Sequence, residues 1–144
     1  MLIRPIKESE RKPALEIVWS TFLRFEAPDY SAEGVQTFRA FIADEALFEN
    51  LEFFGAFDGD TLQGMLATRS ERGHIALFFV PAVFQRQGIG RALWQYILAN
   101  STASTITVNS SPYAVAVYQR FGFTATSAEQ LTDGIRYTPM QFER

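Results

Sequence analysis

The segment Gln85-Arg86-Gln87-Gly88-Ile89-Gly90-Arg91 sets two glycines and two arginines between an apolar run ending at Val80-Pro81 and a helical pattern beginning at Ile89. At a helix start the first backbone N–H groups have no partner inside the helix, and they project outward with the positive end of its dipole. Glycine removes Cβ atoms that would keep an anion away from them. Arg86 and Arg91 add mobile positive charge, and no acid occurs between Arg72 and Ala128 to oppose a phosphate. The chemistry this segment suits is the holding of a pyrophosphate. Glycine is also an ordinary helix cap, so the segment alone does not name the ligand. A Walker loop needs Gly-Lys-Ser/Thr, which is absent, and a dinucleotide fingerprint needs Gly or Ala where Leu93 stands.

Groups able to move a proton lie elsewhere. His74, the only histidine, starts the apolar run, and strand alternation puts it on one face with Ala76, Phe78 and Val80. Glu26, Asp29 and Tyr30 belong to an acidic loop that carries an aromatic. Tyr118 has a phenol that can donate a proton, or it is a core tyrosine on an amphipathic helix.

The elements that must position these groups follow from periodicity. Ile3 to Ile6 reads as a first strand, and Leu15, Val18, Phe22 and Phe25 recur at helical spacing with Ser9 as the expected N-cap. Val35, Phe38, Phe41 and Ile42 predict a second helix opened by Ser31, which makes Glu26 to Tyr30 a connecting loop. Phe53 to Phe57 and Leu62 to Thr68 predict a hairpin about Asp58-Gly59. His74 to Val80 predicts a central strand covered on both faces. Ile89, Ala92, Leu93, Tyr96 and Ile97 form the next helix, followed by a β-branched strand, Thr105 to Val108. Tyr113 to Phe121 predicts a last helix ended by Gly122, and Arg136 to Phe142 a closing strand. The order β-α-α-β-β-β-α-β-α-β-β describes an α/β fold with a mixed central sheet and helices on both faces.

Composition narrows the class. The chain has 144 residues, 47% of them hydrophobic, with fourteen Phe and five Tyr; residues 1–144 are expected to form a single domain with a large aromatic core. Without cysteine there is no disulfide, thiolate metal site or Cys nucleophile. The start lacks an apolar signal region, and the longest apolar stretch is too short for a membrane span, so a cytoplasmic protein without membrane association is expected. A net charge of −3 argues against a nucleic-acid binder. The charge is divided: residues 1–71 hold thirteen acids against seven bases, whereas residues 72–128 hold four arginines and no acid. One part suits a cation and the other a polyanion.

The residues that suggest a ligand also carry a resemblance. Gln85-x-x-Gly88-x-Gly90 after an apolar strand resembles the acetyl-coenzyme A signature of the GCN5-related N-acetyltransferases (GNAT). Ala114, Tyr118, Gly122 and Phe123 in YAVAVYQRFGF resemble that family's second signature at the same spacing. The resemblance is close from Ile75 to Phe123 and extends to the N-terminal part through element order. It implies a GNAT-like fold and transfer of an acetyl group from acetyl-CoA, without a metal, to an amine of a small molecule or peptide. It also implies that the fourth strand splays from the fifth, freeing backbone groups of Phe78, Phe79 and Val80 for the pantetheine arm, with the Phe78 N–H facing the thioester oxygen. Gln85, Arg86, Gln87, Gly88, Ile89, Gly90 and Arg91 would hold the pyrophosphate, and Tyr118 would protonate the departing thiolate. Many members have Asn where this chain has Ser111, and Asn109 stands two residues earlier as a candidate cofactor contact. His74, Glu26, Asp29 or a water relay supplies the base, and Glu26, Asp29 and Tyr30 belong to the expected acceptor side. Members of the family often pair, so a homodimer is compatible with the resemblance. A CoA-binding sensor without turnover and a different nucleotide-binding module are the alternative readings.

Overall fold

Apolar residues at period two and period 3.6 generate one twisted sheet with a helical layer on each side. A computed structural model describes residues 1–144. Its strands are β1 (Leu2–Pro5), β2 (Glu52–Asp58), β3 (Thr61–Arg69), β4 (His74–Phe79), β5 (Thr105–Ser110), β6 (Thr124–Ala125), β7 (Gln130–Thr132) and β8 (Ile135–Glu143). Its helices are α1 (Arg11–Phe25), α2 (Ala32–Ala43), the single turn α3 (Leu47–Asn50), α4 (Ile89–Asn100) and α5 (Val115–Arg120). The sheet runs β1-β2-β3-β4-β5-β8-β6, with β7 paired to β8 alone. Only β4 and β5 are parallel, joined through α4. The expected mixed sheet with helices on both faces is thus the observed architecture.

Each face has its own core. One contains Leu93, Trp94 and Ile97 of α4, Tyr118 of α5, and Ile106 and Val108 of β5. The other contains Val18 and Phe22 of α1 with Met65, Leu77 and Phe79 of the sheet. Phe22 has no exposed surface, and burial of a side chain that size contributes about 2–3 kcal/mol. Its ring stacks on Phe38 of α2 at 4.0 Å, and Phe38 meets Phe79 edge-on at 6.0 Å. That chain of rings ties α1 and α2 to the end of β4.

Local chemistry explains the helix boundaries. Ser31 caps α2, its Oγ accepting the Gly34 N–H at 3.2 Å, as its position predicts. Ser9 does not cap α1. A 3₁₀ turn, Glu8–Glu10, precedes that helix, and Glu10 is drawn aside by Arg4, which donates to both carboxylate oxygens at 2.9 and 2.7 Å. Gly122 ends α5 with φ +98°. The Phe123 N–H donates to Tyr118 O and the Gly122 N–H to Gln119 O, both at 3.0 Å. This paired closure fixes the backbone at Tyr118 and accounts for the glycine four residues after it.

Two irregularities of β4 shape its exposed end. Its ladder with β5 consists of His74↔Thr107 and Ile75↔Val108, beyond which the strands part. Its pairing with β3 jumps from Ile75↔Thr68 to Leu77↔Ala67, leaving Ala76 as a bulge. Side-chain alternation therefore reverses there. Ile75, Phe78 and Val80 face the α4 core, whereas Ala76, Leu77 and Phe79 face the α1 core.

Candidate active site

The parting of β4 from β5 opens a cleft whose first part is a cavity of about 390 Å³ running to the start of α4. Phe78, Phe79, Val80, Gln85, Arg86, Gly88, Ile89, Gly90, Arg91 and Tyr118 all line it. Gly88 caps α4 with φ +82°. An added Cβ there would meet no protein atom within 4 Å. The requirement for glycine is thus conformational, and the space before the helix is open to a ligand. The Gln85 side chain braces this turn, Nε2 donating to Val80 O at 2.9 Å. That carbonyl is consequently engaged within the protein.

Arg86, Arg91 and Arg120 line the cavity. None belongs to the three ion pairs, Arg4–Glu10, Arg72–Glu52 and Arg136–Glu129. Three uncompensated cations beside an open helix start fit the phosphates of coenzyme A. The opposite wall brings residues the sequence reading missed. Phe25 of α1 stacks on Tyr113 at 4.9 Å, and both line the cavity. Thr21, also of α1, is 7% exposed, and its hydroxyl is buried with no hydrogen-bond partner. A threonine in the buried stripe of Ala14, Val18 and Phe22 was the one signal for it. Gln87 does not line the cavity; its Nε2 donates to Val83 O at 3.2 Å.

A second cavity of about 440 Å³ lies on the α2 side of the sheet. Tyr30, Phe38, Phe41, His74, Asn109 and Tyr137 contribute to its walls. Asn109 therefore stands in this cavity and not beside the glycine turn. His74 is also here, bonded through Nδ1 to Thr107 Oγ1 at 2.7 Å. The bulge at Ala76 corrects the sequence expectation: His74 shares a face with Thr107, opposite the face of Phe78 and Val80. Burial and the nearby Arg69 depress the imidazole to about 4, so it is neutral near pH 7. Asp29 is exposed and lines neither cavity; its carbonyl accepts from Arg136 at 3.1 Å.

The cavities meet along a wall common to both, made by Glu26, Phe78, Phe79, Ala114 and Tyr118. Glu26 ends α1 and is half-buried. Desolvation raises its carboxyl to about 7, the Ser111 hydroxyl acts in the opposite direction, and the charge of Asp29 adds to the rise. The Ser111 hydroxyl also accepts the Ala114 N–H at 3.3 Å, in the turn that leads into α5. Tyr118 is 6% exposed and packed edge-on between Phe78 at 6.1 Å and Phe123 at 5.3 Å. Burial and then the charge of Glu26 push its phenol far above the ordinary range, so the proton stays on oxygen. One wall thus holds a carboxyl that titrates near neutrality beside a phenol that keeps its proton.

The far side of the second cavity is closed by the β7–β8 hairpin. Thr37 Oγ1 of α2 donates to Asp133 O at 2.7 Å. A Cβ at Gly34 would overlap the carbonyl oxygen of Gly134, so helix and hairpin touch through bare backbone.

Comparison with known proteins agrees with this architecture. A family model described as an acetyltransferase (GNAT) domain matches residues 26–144. The fold is similar to that of a GCN5-related N-acetyltransferase from Rhodopseudomonas palustris, with TM-score 0.85 and 19% identity over 99% of this chain and 95% of that one. It is also similar to the PaiA N-acetyltransferase from Thermoplasma acidophilum in complex with coenzyme A, with TM-score 0.77 and 17% identity over 99% and 98%. The ribosomal-protein-S18-alanine N-acetyltransferase from Escherichia coli gives TM-score 0.65 and 18% identity over 99% and 92%. A search of curated proteins finds no match. The family match defines an acetyltransferase domain over most of the chain, and the chain belongs to the GNAT family. No helix is long and apolar enough to cross a membrane.

Proposed function

We propose that this protein transfers the acetyl group of acetyl-CoA to an amine held in the second cavity, with Glu26 as base and Tyr118 as acid. The observation that carries this reading is the wall common to both cavities, where these two side chains face a phosphate-suited cleft on one side and an aromatic pocket on the other. When bound, acetyl-CoA supplies a thioester. Gly88, Gly90 and the free arginines would hold its phosphates, and Phe78 and Phe79 line the cleft where the pantetheine arm would run. An N–H at Phe78 is suited to stabilise negative charge on the thioester oxygen.

Glu26 accepts the proton that the amine must lose before its lone pair can attack. A carboxyl at about 7 is half ionised at neutral pH and still basic enough for the task. His74, at about 4, is a much weaker base and lies at the other end of β4. Tyr118 would give its proton to the departing sulfur, so that coenzyme A leaves as the thiol, and the proton that the acylated nitrogen sheds as the amide forms would return to the phenolate through solvent. Ser111, at the position where many family members have Asn, acts on Glu26 by opposing the rise of its carboxyl. The continuous sheet favours residues 1–144 acting as one domain.

The test is release of coenzyme A thiol across a panel of amines, with Tyr118→Phe beside wild type. The expected result is a fall in kcat of about 10²–10⁴-fold in the variant, with acetyl-CoA affinity retained. An unimpaired variant would return Tyr118 to a packing role. Binding of acetyl-CoA without thiol release for any amine would favour a sensor.

A further inference from the structure

The second cavity has a polar end that the transfer chemistry above does not use. Arg69, the last residue of β3, lines it and is exposed. Its register partner on β4 is His74, whose own partner on β5 is Thr107. These three residues form a row across the sheet on the α2 side. The three ion pairs of the chain all involve other arginines, so Arg69 has no carboxylate partner. No other Arg or Lys lines this cavity. A neutral imidazole and an unpaired guanidinium at one end of an aromatic-walled pocket form an arrangement that receives an anion.

The distance from this end to the reacting wall follows from the strand. The cavity is lined by β4 continuously from His74 to Phe79. His74 to Phe78 is four steps, or roughly 13 Å at about 3.3 Å each. The walls also include Phe38 and Phe41 of α2, Ala76 and Leu77 of the sheet, and the polar Asn109, Thr132, Asp133 and Tyr137.

We infer that the acceptor is an elongated amine that carries a carboxylate or other anionic group roughly 10–13 Å from its nitrogen, held by Arg69 while the nitrogen lies at Glu26. This rests on the assignment of the second cavity to the acceptor. A peptide of three to four residues has that reach, as does an unbranched amino acid such as aminooctanoate with its amine at the far end, whereas an α-amino acid does not. The charge division of the chain is consistent with it: the amine meets the acidic α1–α2 loop, and the anion meets the one cation of the pocket.

The experiment compares terminal-amine aminooctanoate, its neutral amide, aminooctyl phosphate and the shorter aminobutanoate. Binding to the CoA-loaded protein is measured by calorimetry, and acetylation by thiol release. The expected result is that aminooctanoate or aminooctyl phosphate binds at least tenfold more tightly than the amide and than aminobutanoate. The better of the two anions identifies the group. Arg69→Gln should abolish the preference while coenzyme A affinity stays at the wild-type value. Equal binding of acid and amide, or a preference that survives in Arg69→Gln, overturns the inference even if both are acetylated. Tighter binding of the anion without acetylation upholds the Arg69 subsite and instead sinks the transfer reading.

Discussion

Replacing Glu26 by Gln separates what this carboxyl does for catalysis from what it costs the fold. In wild type the group moves from the ordinary 4.5 to about 7 on folding, chiefly because it is desolvated. At about 1.4 kcal/mol for each unit, its charged form is disfavoured by roughly 3 kcal/mol in the folded state. The sign follows from proton counting. Near pH 4 the group is largely neutral in both states and contributes little. From 4.5 to 7 the folded protein keeps a proton that the unfolded chain has released, so stability falls as pH rises. Above 7 the full amount is lost. Gln has the same shape, keeps an oxygen for Ser111 and never ionises. The variant should therefore match wild type near pH 4 and exceed it by up to about 3 kcal/mol at pH 8, which is a rise in Tm of roughly 10 °C for a chain of this size. Over the same range kcat/KM should drop by about 10²–10⁴-fold and lose its inflection near 7. Thermal unfolding of both proteins across that pH range, with pH–rate profiles on one acceptor, decides the matter. Equal stability at pH 8 would refute the burial argument, and an inflection that persists in the variant would refute the assignment of the base.

Gly88→Asp should weaken acetyl-CoA by roughly tenfold or more in calorimetry, because it adds like charge beside the phosphates and strains a φ of +82°; unchanged affinity with the fold intact would remove the ligand from this turn. Thr21→Val should stabilise the ligand-free protein by about 1 kcal/mol, since the buried hydroxyl lacks a partner, and weaken acetyl-CoA several-fold if the ligand supplies one. Thr68→Val is the control: its hydroxyl is equally unpaired but lines neither cavity, so stability alone should change. In Gly34→Ala the helix gains up to about 1 kcal/mol in propensity but the new methyl meets the Gly134 backbone, where overpacking costs about 1–3 kcal/mol. Net loss of stability and a raised KM for the amine, with coenzyme A affinity unchanged, is the expected pattern.

Much of the cavity end at the glycine turn was legible because its geometry is local in the chain. A glycine with positive φ at a helix start, a glutamine bracing the turn and arginines without neighbouring acids occupy one short stretch around Gly88. The position of Tyr118 was legible for the same reason, since Gly122 and Phe123 close α5 by bonds to residues three to five places earlier. Ser31 as a cap and the β2–β3 hairpin about Asp58-Gly59 are likewise near-neighbour effects.

What the sequence determined by itself was thus the element order apart from the turn α3 and one of the three strands after α5, the glycine turn and the position of the phenol, each set by backbone geometry within a few residues. Only the tertiary structure decided which acid stands beside that phenol. Glu26 and Tyr118 are far apart in the chain, and the desolvation that raises Glu26 exists only once α1, β4 and α5 converge. It also decided the face of His74, because a bulge is an event between two strands: β3 offers one residue fewer than β4, and alternation within β4 alone cannot register that. Strand β7 and the contact of its turn with α2 were invisible for a related reason, since a three-residue exposed strand buries too little to leave a periodic pattern. Local geometry is written in consecutive residues, whereas charge burial and the facing of side chains depend on which distant surfaces come together.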